Sequence, residues 1–332
     1  MGGNIFPNSQ RLNNYEFNAN FWLLENDIVK AEEAAGNYCM SIYSCTKSYL
    51  EKDSHGDIDV ICTFFEQEED IVNFLVNHVD GVSRDAIQYG KGNISFLYHG
   101  KYQVDLIHCE SPSFAHQYYS YNDFGALLGV LCRNLGYKLR NDGVYYEVYS
   151  PVNLTQKLGE ILVTYNWEDV LDLVGLPTST RLVVFKNLEE IFKKVASAES
   201  FRWELFLPEN FSSKQRARAG KRTTFIEFQK WIETHKGILN SVEEMPLLPK
   251  PLSEVDTSSW VAYKEMVRKH LEELEFKKKF NGELVQEATG LTGPDLGSYM
   301  DYLKTKSWFS DFVRDQDVTC DIIKYCIKGM TE

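Results

Sequence analysis

Hydrophobic positions recur at helical spacing over residues 16–35, where Phe17, Phe21, Leu24 and Ile28 form one stripe, and this predicts a helix. The period then changes. Residues 40–43 predict a short strand, and 57–65 ("DIDVICTFF") predict a longer one rich in β-branched and aromatic side chains. Residues 66–80 return to the helical period through Ile71, Phe74, Leu75 and His78, and the pattern stops before Gly81. "NISFLYHGKYQVDLIH" alternates on both sides of His99-Gly100-Lys101 and predicts a β-hairpin, with the glycine supplying the turn.

From Ser113 onward the pattern is mainly helical. "YNDFGALLGVLCRNLGYKL" predicts an apolar helix and "NDGVYYEVYSP" a small hairpin. Asn187, with Glu190 three residues later, predicts a capping box for "LEEIFKKVAS". Residues 214–233 predict one helix, basic at its start and amphipathic after it. "SVEEMPLLPKPLSEVD" carries Pro246, Pro249 and Pro251 and predicts a linker. A last helical region covers 260–329. The expected fold class is α+β: a mixed-sheet head over 1–112, a helical body over 113–245 and a helical tail over 252–332.

Composition narrows the class. The chain has 332 residues, 43% hydrophobic and 25% charged, enough for more than one soluble domain. Its longest apolar run, residues 124–132, is too short to span a bilayer, so no membrane partner is expected. The start, "MGGNIFPNSQR", lacks the basic and apolar stretches of a secretory leader, and the expected location is cytoplasmic. Gly2-Gly3-Asn4 reads as a frayed end or as a turn folded back on the site. Seven cysteines with no C-x-x-C spacing argue against a disulfide framework or a zinc ribbon. The net charge is −13, but residues 1–180 hold 11 Lys+Arg against 24 Asp+Glu while residues 181–332 hold 24 of each. The acidity belongs to the first part, so a nucleic-acid partner for the second part stays open.

The chemistry concentrates in "KDSHGDIDVIC". Alternate residues of a strand share a face, so Asp57 and Asp59 lie side by side while Ile58 and Val60 point away. Two adjacent carboxylates repel each other and are costly to bury without a cation between them. Asp105 interrupts another β-type run, "YQVDLIH", on a hairpin that could lie alongside. Three such carboxylates make a site for two Mg²⁺ ions, with Mn²⁺ as an alternative, suited to activating a hydroxyl and stabilising a leaving pyrophosphate. The bland alternative is a solvated strand edge. Gly56 precedes the pair, and Ser54 and His55 offer donors to an anion.

These stretches, "SIYSCTKSYLEKDSHGDIDVI" and "GKYQVDLIH", resemble the DNA polymerase β superfamily of nucleotidyltransferases over residues 36–110. The resemblance implies a nucleotidyltransferase-fold head in which Asp57 and Asp59 ligate both metals and Asp105, with one metal, activates the incoming hydroxyl. It also implies an NTP substrate held by the turn after the first strand. In the family that turn is Gly-Gly or Gly-Ser and opens a helix, so that backbone N–H groups reach the triphosphate. Here it is Ser44-Cys45-Thr46, with no glycine, leaving the Ser44 hydroxyl and the charges of Lys47 and Lys52, or else two solvated lysines.

Two later segments bear on the acceptor. "SKQRARAGKRTTFIEFQKW" places Lys214, Arg216, Arg218, Lys221 and Arg222 ahead of Phe225, Phe228 and Trp231. It reads either as a phosphate-contacting face or as a solvated charge run on a helix with core aromatics. In "GLTGPDLG", Gly290 ends one helix, Thr292-Gly293-Pro294 starts the next, and Gly297 permits close approach. Exposed N–H groups there can hold a phosphate, with Lys277-Lys278-Lys279 nearby in sequence; an ordinary helix corner is the alternative. This stretch resembles the tail of CCA-adding tRNA nucleotidyltransferases and bacterial poly(A) polymerases. It also resembles a helix–hairpin–helix with its glycine spacing one residue too long. No E-D-x-x-R pair of the CCA-adding type occurs in the middle of the chain; Glu168-Asp169 lacks the arginine. The layout is also similar to nucleotidyltransferase-like proteins of phages and large viruses. The expected function is transfer of a nucleoside monophosphate from an NTP to an RNA 3′ end, tRNA-like for preference. The alternatives are a protein or small-molecule acceptor, or an RNA-binding protein with a decayed site.

Overall fold

The computed structural model describes residues 5–36, 38–243, 249–315 and 318–328. Gly2-Gly3-Asn4, Pro246 and Gly329 lie outside the described residues.

The head begins with α1 (Asn14–Ala35), opened by a capping box in which Asn13 accepts from Glu16 N and Glu16 accepts from Asn13 N, both at 2.9 Å. Then follow β1 (Met40–Cys45), β2 (Asp57–Phe64), α2 (Glu68–His78), β3 (Ile87–Gly90), β4 (Asn93–Tyr98) and β5 (Tyr102–His108). The five strands form one mixed sheet in the order β1-β2-β5-β4-β3. β2 and β5 run parallel at its centre, and the other neighbours are antiparallel. His99 and Gly100 both take positive φ, closing the β4–β5 hairpin with Lys101 N donating to Tyr98 O at 3.0 Å.

Strand alternation sorts the sheet's faces. Ile58, Val60, Ile94, Phe96, Val104 and Leu106 point to one side and bury against α1 and α2. On the other side α3 (Pro112–Tyr119) covers Ile61 and Ile107 through Ala115 and Tyr119. The polar positions of β2 and β5 lie on this second face.

The body continues with α4 (Phe124–Asn134), a second sheet of β6 (Tyr137–Arg140), β7 (Gly143–Tyr149) and β8 (Lys157–Thr164), then α5 (Trp167–Val174), α6 (Leu188–Ala196), α7 (Ser213–Ala219) and α8 (Thr223–His235). The apolar helix over "GALLGVLCRN" therefore stops short of "YKL", which is a strand because Gly136, at φ +95°, turns the chain. The basic-to-amphipathic segment is two helices, broken at Gly220. At α6, Asn187 accepts from Glu190 N at 3.1 Å, but the Glu190 carboxylate turns to Lys186 N at 2.6 Å, one residue before the cap. At Gly125 a Cβ would stand 2.3 Å from Tyr118 O, so only glycine lets α4 approach the end of α3 so closely. The end of the proline segment is tied down: Lys250 N donates to Leu135 O and Tyr137 Oη to Lys250 O, both at 3.1 Å.

After α9 (Leu252–Val255) come α10 (Thr257–Lys279), α11 (Gly282–Thr289), α12 (Gly293–Lys304), α13 (Ser307–Asp315) and α14 (Cys320–Lys328). The chain divides into two compact units, the described residues of 1–147 with 160–257, and those of 148–159 with 258–332. The second has its own core, built on Phe280, Val285, Leu303, Phe309, Val313 and Ile323. Among the described residues no helix is long and apolar enough to cross a membrane.

Candidate active site

β2 and β5 place Asp59 directly beside Asp105 and Asp57 beside Gln103, in parallel register, with Ser95 of β4 opposite Asp105. All five face the polar side of the sheet. One oxygen from each of Asp57, Asp59 and Asp105 lies within 4.8 Å of the others, spacing that one divalent cation can bridge. An all-oxygen donor set of carboxylates suits a hard cation such as Mg²⁺ or Mn²⁺.

The electrostatics fit that use. Burial holds the Asp59 carboxyl well above the usual range, and the charges of Asp57 and Asp105 push it further while Lys52 opposes them. Burial likewise pushes Asp105 up to about 6, against the hydrogen bonds it receives from Ser95 and Gln103. Gln103 Nε2 donates to both Asp105 oxygens, at 3.1 and 3.0 Å, and Gln103 Oε1 accepts from Ile5 N at 3.1 Å. The N-terminal segment thus orients a buried amide, and the amide orients the carboxylate.

Asp57 and Asp59 line a cleft of about 500 Å³. Lys47, Lys52 and Arg11 bring positive charge to its wall, joined by Gly56, Tyr119 and Asn122. Burial lowers the Lys52 ammonium from its ordinary value, and the attraction of Asp57 and Asp59 acts in the other direction. The strip between β1 and β2, residues 46–56, contains no helix. Its backbone is clamped instead: Thr46 N donates to Asp59 O at 2.9 Å, Leu50 N to Phe185 O at 3.0 Å, and Tyr121 N to Lys47 O at 2.6 Å. The helix N-terminus implied by the family resemblance is therefore absent here, and side-chain cations stand at the cleft in its place.

Of the residues expected to contact nucleotide, Lys47, Lys52 and Gly56 line the cleft. Ser44 and Cys45 do not line it; they continue β1, paired with Ile61 and Val60. Ser54 lies at the rim, where it accepts from Arg11 Nε at 3.0 Å. His55 is buried away from the cleft: its ring stacks on Phe17 at 4.2 Å and its Nε2 meets Asn14 Oδ1 at 2.7 Å. Burial depresses it to about 4, so it is a neutral structural histidine. Of the basic residues, Arg222 reaches Asp123 of the cleft wall at 2.6 Å, and Thr223 and Thr224 follow it into the cleft. Lys214, Arg216, Arg218 and Lys221 are exposed. Phe225 and Phe228 are buried, as the core reading of those aromatics requires. Gly293 opens α12 at φ +58° in the second unit, and no atom approaches within 4 Å of the Cβ positions of Gly293 or Gly297, so Gly297 serves no close approach.

Gln103 and Arg11 were not foreseen from the sequence. The i, i+2 alternation that pairs Asp57 with Asp59 also pairs Gln103 with Asp105 and could have found it. Arg11 has no such signal.

No family model matches the chain, and no curated protein matches it in sequence. Among solved structures, the polymerase β of Leishmania infantum, described as a ternary P/T complex, is similar over 51% of this chain and 75% of that chain, with 16% identity and a TM-score of 0.35. At that level of likeness the chemistry has to be read from the site itself.

Proposed function

We propose that this chain is a divalent-cation-dependent nucleotidyltransferase that moves a nucleoside monophosphate from an NTP to the hydroxyl of an RNA 3′ end, a tRNA-like end for preference, and releases pyrophosphate. The observation that carries this reading is the carboxylate triad, three aspartates on two parallel strands with their oxygens within 4.8 Å. Asp57, Asp59 and Asp105 would hold the metal, which when bound supplies charge neutralisation and Lewis acidity for phosphoryl transfer.

In this reading Lys47, Lys52 and Arg11 grip the triphosphate from the cleft wall, and the acceptor hydroxyl comes to rest beside Asp105, which adjoins Asp57 and Asp59. Its oxygen bonds to the α-phosphorus as the bond to the β-phosphate oxygen breaks. Asp105 takes the hydroxyl proton and passes it to water, while Gln103 keeps the carboxylate turned to the site. An RNA acceptor is favoured by the basic segment that reaches the cleft at Arg222, Thr223 and Thr224.

The test is incubation with total RNA, Mg²⁺ and each α-labelled NTP, with Asp57→Ala as control. Discrete labelled RNA bands that vanish in the variant support the reading. Labelled protein bands would move the acceptor to a protein. The missing glycine turn favours a second reading, an RNA-binding protein with a decayed site, and bound but unlabelled RNA would select it.

A further inference from the structure

A second, smaller pocket lies beside the acidic cleft in the same unit. Its volume is about 110 Å³, well below the roughly 300–1,000 Å³ of sites that take a whole drug-sized ligand. Arg133 of α4, Arg218 of α7 and Arg222 line it together with Tyr118. The charges of all three guanidiniums act on the Tyr118 hydroxyl, with Asp123 opposing them. Among the described residues, neither Arg133 nor Arg218 closes an ion pair. Glu147, whose charge reaches Arg133, is bridged to Lys138 at 3.3 Å.

Three arginines that come from separate helices and an interhelical turn, two of them without a carboxylate partner, repel each other and gain from a shared anion. The pocket is too small for a nucleoside and large enough for one phosphate group. It is next to the cleft through pairs of contacting residues, one member lining each. Tyr118 lines this pocket and Tyr119 lines the cleft, their rings 5.2 Å apart. Arg222 lines this pocket and its partner Asp123 lines the cleft. A phosphate held here is therefore separated from the cleft by the Tyr118–Tyr119 and Arg222–Asp123 contacts.

We propose that this pocket holds a backbone phosphate of the acceptor strand next to its 3′ hydroxyl, so that a nucleic-acid end is recognised by its phosphodiester and not by its base. The inference rests on the transferase reading for its direction and adds the substrate feature that the site requires. Arg133 is the residue it adds to the basic segment; nothing in the sequence pattern around "VLCRNLG" marks it.

The test uses the full chain and a 5′-fluorescent 12-mer RNA with a free 3′ hydroxyl, alongside the same oligomer carrying a neutral methylphosphonate at its last linkage. Arg133→Ala/Arg218→Ala should bind the native oligomer about tenfold more weakly, with the slope of log K against log salt reduced by about 0.7. The methylphosphonate should weaken wild type to the same degree and cost the variant nothing more. Binding of a fluorescent NTP with Mg²⁺ should not change in the variant. Unchanged RNA binding by the variant, or no effect of the neutral linkage on wild type, overturns the proposal. Loss of NTP binding with RNA binding intact also overturns it, because the pocket would then hold the triphosphate. If wild type transfers no nucleotide yet shows the matched loss of binding, the transferase reading fails and the phosphate pocket stands.

Discussion

Replacing Asp105 with asparagine should stabilise the metal-free protein at neutral pH. Burial holds the Asp105 carboxyl near 6 instead of its ordinary 3.8. The folded state therefore favours the protonated form. The stability this contributes is complete below pH 4 and is lost as the pH rises through 6, which corresponds to about 3 kcal/mol at pH 8. Asparagine removes the charge but accepts fewer hydrogen bonds from Gln103 and Ser95, a loss of about 1 kcal/mol. The net gain is about 2 kcal/mol, or about 6 °C in Tm for a unit of this size. Relief of the repulsion on Asp59 adds in the same direction. The assay is thermal unfolding in EDTA from pH 4 to 8, read as the difference between the variant and wild type. Taking the difference cancels His55, which acts oppositely: its depressed value makes its stability present above 6.5 and lost as the pH falls toward 4. The variant should be slightly the less stable near pH 4, cross wild type between pH 4 and 5 and stand above it by pH 8, and excess Mg²⁺ should favour wild type more than the variant. Parallel curves across the range, or a variant less stable at pH 8, would refute the reasoning.

Three further substitutions separate positioning from packing. Gln103→Leu removes the amide that orients Asp105 and should slow transfer by about 10- to 100-fold at unchanged NTP affinity, as followed by single-turnover kinetics. His55→Ala loses the stack on Phe17 and the contact with Asn14; it should lower stability by about 2 kcal/mol in urea titration, and a tenfold loss of NTP affinity would show that His55 does reach the nucleotide. Gly125→Ala forces a Cβ against Tyr118 O and should lower stability by about 1–3 kcal/mol, whereas an unchanged Tm would mean that α3 and α4 separate freely.

The carboxylate triad was legible because strand alternation is a strict rule. "DIDV" and "VDL" put the acids on one face and Ile58, Val60, Val104 and Leu106 on the other, and the parallel register of β2 and β5 brings the acid faces together. What the alternation could not supply was everything held by long-range contact. "YKL" reads as a helical continuation until Gly136 turns it into β6, and β8 has no strong periodic signal of its own. Ser54 and His55 look like anion donors when read beside Gly56, yet Leu12 and His55 exchange two backbone hydrogen bonds, of 2.7 and 2.9 Å, that draw the ring toward α1. The basic run at 214–222 looked like a single face. The break at Gly220 sends Arg222 to Asp123 and the cleft, while Lys214 and Lys221 remain in solvent. Arg133 joins that cluster only because α4 and α7 meet, 85 residues apart in sequence at Arg133 and Arg218.

The most direct test of the central claim is the stoichiometry of pyrophosphate release with Mg²⁺, an NTP and an RNA acceptor, comparing wild type with Asp59→Asn. The account predicts one pyrophosphate for every nucleotide added by wild type, and a rate lower by at least about 10³-fold in the variant with RNA binding retained. Transfer at the wild-type rate by Asp59→Asn would contradict it.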